Sequence, residues 1–89
     1  RAELKVFPNP ARNTFHFEFE TEKVSDVTCS IYSAEGKLLK TWKIHHLTQG
    51  LHQLSFNLSD LALVPGQYLC AVDTAISGAG RKLTWLIIQ

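Results

Sequence analysis

The chain has 89 residues, of which 45% are hydrophobic and 19% charged. That is room for one globular domain, and the composition is not that of a disordered chain. A formal net charge of +1 argues against nucleic acid or an anionic membrane as partner. No apolar run approaches the ~20 residues of a membrane-spanning helix. No apolar segment of signal-peptide type follows Arg1-Ala2-Glu3, so an export signal is expected on a longer parent chain.

No helical periodicity persists over 11 residues or so; the recurring signal is period-two alternation broken by turn residues. Leu4 to Phe7 reads as a first strand, stopped by Pro8-Asn9-Pro10 because proline has no ladder donor. In Thr14 to Glu20, Phe15, Phe17 and Phe19 share one face, and His16, Glu18 and Glu20 share the other. That is the pattern of a half-buried antiparallel strand. After a turn at Thr21-Glu22-Lys23, Val24 to Tyr32 forms a third strand with Val27, Cys29 and Ile31 on one face. Ser33-Ala34-Glu35-Gly36 is a tight turn.

Lys37 to His46 is the fourth strand. Leu38, Trp42 and Ile44 share one parity and Leu39 the other, which predicts a bulge. Leu47-Thr48-Gln49-Gly50 is expected to close a hairpin into Leu51 to Leu58, with Leu54, Phe56 and Leu58 facing in. Ser59 to Pro65 is a loop with one helical turn over Asp60 to Leu63. Gly66 to Thr74 carries Tyr68, Cys70 and Val72 inward, Ser77 to Gly80 is a turn, and Arg81 to Ile88 is the last strand. Seven short strands at near-regular spacing specify an all-β, seven-stranded antiparallel two-sheet sandwich of immunoglobulin-like type, filling residues 1–89 as one domain.

The chemistry-bearing residues form no recognisable site. There is no nucleophile elbow and no phosphate- or dinucleotide-binding glycine loop. The expectation is a chain that is not an enzyme and has neither cofactor nor small-molecule substrate. A hairpin at Leu47–Gly50 would set His45 opposite His52, ~5 Å apart at Cβ. A third ligand is lacking, and zinc usually takes three or four, so a solvent-facing polar pair is the expected state and no metal is expected. Glu18 and Glu20 read as a solvated face. The phenylalanine stripe reads as core, since no basic residues interleave it as in a base-stacking platform. Asn57-Leu58-Ser59 is formally a glycosylation sequon.

Four blocks in order resemble the C-terminal sorting domain of the bacterial type IX secretion system, the Por secretion tail of Bacteroidetes proteins. Val6 to Asn13 contains the opening Pro8-Asn9-Pro10-Ala11 after a short strand. Ile31 to Lys37 resembles the second block, with Tyr32 ending a strand before Gly36 and Lys37. Leu63-Val64-Pro65-Gly66-Gln67-Tyr68 is similar to the third block, and the strand beginning at Lys82-Leu83 to the last. The ending Leu86-Ile87-Ile88-Gln89 departs from the basic residue often found there.

The resemblance implies a secretion signal that follows an N-terminal cargo domain. The parent crosses the periplasm and is recognised by the outer-membrane type IX translocon. It is then released or anchored at the cell surface, and a sortase-like peptidase joins the cargo to lipopolysaccharide. The resemblance also puts Cys29 and Cys70 on neighbouring strands of one sheet, as buried unpaired thiols. The unusually apolar run Trp85 to Ile88 points to an exposed strand edge that would pair with a receptor by β-augmentation. On that expectation, lysine at Leu86 and Ile88 abolishes export and leaves the fold intact. Asp73-Thr74-Ala75 resembles the O-glycosylation triplet of these bacteria.

A second resemblance is to immunoglobulin domains, through Cys29, Trp42 and Tyr68-Leu69-Cys70. It implies an adhesion or interaction module with the cysteines bridging the sheets. It leaves Pro8 to Ala11 unexplained.

Overall fold

The computed structural model describes residues 3–74 and 80–89. Seven strands and one helical turn follow in order: β1 Lys5–Phe7, β2 Thr14–Thr21, β3 Ser25–Ser33, β4 Leu38–Leu47, β5 Gly50–Asn57, α1 Leu58–Leu61, β6 Gly66–Thr74 and β7 Arg81–Ile88. The first sheet has the order β1-β2-β5 and the second β4-β3-β6-β7. All strand pairs are antiparallel, so the expected immunoglobulin-like sandwich is the fold.

Alternation dictates what the sheets bury. From the first sheet, Val6, Phe15, Phe17 and Phe19 face inward; from the second come Val27, Cys29, Ile31, Tyr68, Cys70, Val72, Leu86 and Ile88. Phe56 on β5 joins the layers. Its ring centroid lies 4.5 Å from that of Trp42 on β4, 5.1 Å from that of Phe17 and 5.3 Å from that of Phe15. Offset and edge contacts at such distances are the favourable aromatic geometries.

The expected hairpin at Leu47–Gly50 is a crossover instead. β4 pairs with β3, and β5 pairs along its whole length with β2, from Thr14↔Asn57 to Thr21↔Gly50. The physical reason is the shape of the core. Trp42 and Phe56 meet across the layers with their rings tilted at 44°, a contact between facing sheets that hairpin neighbours in one sheet cannot make. Thr21 ties the corner by donating its hydroxyl to the carbonyl of Thr48 at 2.6 Å. His45 and His52 are therefore on different sheets. His45 Nδ1 lies 3.6 Å from Asp26 Oδ2, and His52 Nε2 lies 2.6 Å from the Thr48 carbonyl.

The bulge predicted in β4 is present. Ile31 pairs with Lys40 but Tyr32 with Leu38, so Leu39 is the extra residue. A second irregularity lies between Ser25↔Leu47 and Val27↔Ile44, where His46 has φ 55°. The Asp26 carboxylate accepts the His46 backbone N–H there at 3.0 Å. That bond, with His45 beside it, holds the Asp26 carboxyl below its ordinary value. The helical turn begins at Leu58, two residues earlier than expected. Of the Ser77–Gly80 turn, residues 77–79 lie outside the described residues, as does Ala75 of the Asp73-Thr74-Ala75 triplet.

Cys29 and Cys70 are neighbours in one sheet. Cys29 pairs with Val72, and Cys70 with Ile31. They are thus diagonal rather than opposed. Both are free and fully buried, and burial pushes each thiol up to about 12.

Candidate recognition surface

The residues singled out from sequence converge on one end of the sandwich. Registers locate them: Gly66 pairs with Ile88, Ser33 with Tyr68 and Tyr32 with Leu38, and Ala11 bridges Ile88. The Pro8–Ala11 segment, the turn holding Gly36 and Lys37, the Pro65-Gly66 entry to β6 and the end of β7 therefore share a pole. Lys82 and Leu83 do not. They pair with Val72 and Ala71, toward the opposite end of the strand.

Each block has a local cause. Gly36 sits at φ 94° and donates its N–H to the Ser33 carbonyl at 3.0 Å, while Ser33 N–H returns to Lys37 O at 2.8 Å. Only glycine takes that φ without steric cost. Tyr68 is buried and donates its hydroxyl to the carbonyl of Val64, four residues back, at 2.5 Å. The third block is thus a loop closed by its own tyrosine, with Pro65 and Gly66 exposed between.

The opening block crosses from β1 to the free side of β7. Asn9 uses both ends of its side-chain amide there: Nδ2 donates to Trp85 O at 3.0 Å, and Oδ1 accepts Ile87 N–H at 2.9 Å. Ala11, fully buried, donates its N–H to Ile87 O at 2.8 Å and accepts Gln89 N–H at 2.9 Å. Arg12 Nε adds a bond to the Gln89 side-chain oxygen at 2.9 Å. Pro8, Asn9 and Pro10 remain exposed.

Two features of the surface escape the sequence reading. One is the outer face of the second sheet. Leu38, Tyr32, Leu69 and Trp85 form a transverse row across all four strands, with Leu83 and Ile87 beside it. Leu38, Leu83, Trp85 and Ile87 are each roughly half exposed. The other is Arg81, which bonds the Tyr32 hydroxyl, lies over its ring and pairs with Asp73 at 3.2 Å. The signal for the face was present: Trp85 to Ile88 is apolar on both parities, so one parity must lie outside the core.

Lysine at Leu86 and Ile88 would not leave the fold intact, contrary to the expectation from sequence. Leu86 and Ile88 are core residues with 0% and 4% exposure. Lysine at either position would be buried without a partner, which attacks the fold itself.

Comparison with known proteins bears on this arrangement. The profile of the family described as "Secretion system C-terminal sorting domain" matches residues 5–87. No curated protein matches. Among solved structures, dimeric latent PorU from Porphyromonas gingivalis is similar with a TM-score of 0.74 and 21% identity, over 98% of this chain and 9% of that one. The chain thus spans less than a tenth of PorU's length. The CARDB domain of the PF1109 protein from Pyrococcus furiosus, solved in complex with di-metal ions, is similar with a TM-score of 0.56 and 10% identity, over 99% of this chain and 92% of that one. These two likenesses establish the sandwich fold. The family match, across nearly the whole chain, establishes the relationship: the chain belongs to the C-terminal sorting domains of the type IX secretion system.

Proposed function

We propose that this domain is the signal by which its parent protein is handed to the outer-membrane type IX translocon for release or surface anchoring. The family match over residues 5–87 carries this reading. A type IX sorting domain belongs to a secreted or cell-surface protein. The proposed path runs through the periplasm, where the domain folds and docks on the translocon as a ligand. A sortase-like peptidase then severs it from the cargo on its N-terminal side and joins that cargo to lipopolysaccharide. The domain performs no catalysis and needs no cofactor, small-molecule substrate or nucleic acid.

Recognition is assigned to the pole that gathers Pro8–Ala11, Gly36, Lys37, Pro65 and Gly66, together with the outer side of β7. A folded pole suits a signal that must serve unrelated cargoes, because its geometry depends only on the domain's own core. The test is export. A reporter with a signal peptide is fused ahead of residues 1–89 and expressed in a host with an intact type IX system and in one lacking it, beside a tail of known function. System-dependent surface or medium signal is expected. Periplasmic retention while the control is exported would transfer the reading to an immunoglobulin-like adhesion or interaction module.

A further inference from the structure

Strand edges expose unpaired N–H and C=O groups, and β7 ends the second sheet. In an antiparallel strand, both main-chain groups of one residue point to the same side. Those of Ile87 face away from β6, as do Trp85 O and Gln89 N, since Asn9 and Ala11 receive them. By the same parity, Leu83 N–H, Leu83 C=O, Trp85 N–H and Arg81 C=O face the same open side. Among the described residues, no backbone group meets them.

The outer edge of β7 is therefore divided. We propose that Pro8–Ala11 is an edge guard for the Trp85–Gln89 half, and that it leaves the Arg81–Trp85 half as a strand-addition site for an extended segment of the translocon. Three features of the guard support this. The Asn9 side chain supplies one donor and one acceptor, as a backbone amide of a neighbouring strand would. Pro8 and Pro10 flank it without N–H groups, so the guard presents no continuous edge of its own. Ala11, at 0% exposure, anchors it in the core. An extended segment on the open half would gain main-chain bonds at Leu83, with apolar Leu83 and Trp85 beside it on the outer face for its side chains. The docking half of the proposal rests on the sorting reading above; the guard half does not.

The guard is tested on the isolated chain by amide hydrogen exchange. Leu83 should exchange freely, while Ile87 and Gln89 are protected. Asn9→Ala should speed Ile87 exchange by about three- to tenfold, the worth of a typical hydrogen bond, with the Leu86 amide unchanged. Equal rates at Leu83 and Ile87 in the wild-type chain, or an Ile87 rate indifferent to Asn9→Ala, would overturn the guard.

The docking site is tested by export of the reporter fusion. Leu83→Pro removes one edge donor, and Leu83→Thr keeps it. Leu83→Pro should lower export at least tenfold with Leu83→Thr near wild type. Normal export of Leu83→Pro, or equal loss in both, would overturn the site. If Leu83→Pro melts early, N-methyl-leucine at 83, introduced by ligation, removes the same donor. Pelleting with outer-membrane vesicles from hosts with and without the system then gives the reading: loss of system-dependent binding supports the site, and undiminished binding overturns it. A wild-type fusion that stays in the periplasm would sink the sorting reading while leaving the exchange result standing.

Discussion

Strand β7 offers a parity experiment in which adjacent residues of similar chemistry should differ several-fold in their effect on stability. Leu86 is fully buried between the sheets, whereas Trp85 and Ile87 are each 46% exposed. Truncating a buried leucine to alanine costs about 2–5 kcal/mol, through lost transfer energy and the cavity left behind. A surface truncation away from special features costs roughly 0.5 kcal/mol, and more for a half-covered Trp, on the order of 1 kcal/mol. In a domain of this size each kcal/mol moves the melting midpoint by about 4–8 °C. Leu86→Ala should therefore lower Tm by ~8–40 °C, and Trp85→Ala or Ile87→Ala by no more than ~8 °C. Thermal unfolding by circular dichroism reads the difference. A larger drop for Trp85→Ala than for Leu86→Ala would mean that the strand presents its other face to the core, since a one-residue slip inverts every side chain. It would also refute the edge assignment made for Asn9.

The same core yields further expectations. Burial that pushes both thiols up to about 12 from 9.0 cuts native thiolate at pH 8 by about a thousandfold relative to the unfolded chain; an aromatic disulfide reagent should therefore find two fast thiols only in denaturant, and two fast thiols in the native chain would contradict the burial. The pH consequence follows from the raised values: stability from the neutral thiols is intact below pH 9 and lost as pH rises from 9 toward 12. Urea midpoints should accordingly fall more steeply over pH 9–11 for the wild-type chain than for the Cys29→Ala, Cys70→Ala double variant, and equal slopes would refute it. Gly36→Ala places a side chain at φ 94°, with nothing within 4 Å to obstruct it; the expected loss is only the backbone cost of about 1–2 kcal/mol, and a neutral result in urea unfolding would refute that turn geometry.

The strands were legible because period-two alternation survives in the sequence wherever one face is buried, as at Phe15, Phe17 and Phe19. Where β5 goes was not legible. Thr48-Gln49-Gly50 has the composition of a hairpin turn, and only the meeting of Trp42 with Phe56 across the core explains why the chain changes sheets. The opening block was legible as a pattern but not as a mechanism. Asn9 bonds a strand 76 and 78 residues away in the chain, a distance that no local rule spans. Leu86 and Ile88 were misread because an unbroken apolar run hides which parity is buried; register against β6 decides it.

The claim that a folded pole is the recognition surface is tested most directly by site-specific photocrosslinking in a secreting host. A photoreactive residue is placed at Lys37 or Ile87, on the pole, or at Leu51 on β5, exposed on the opposite end. Positions 37 and 87 should capture an outer-membrane component of the type IX system, position 51 should not, and all three fusions should melt like the parent. Capture at Leu51 alone, or none at the pole while export proceeds, would contradict it.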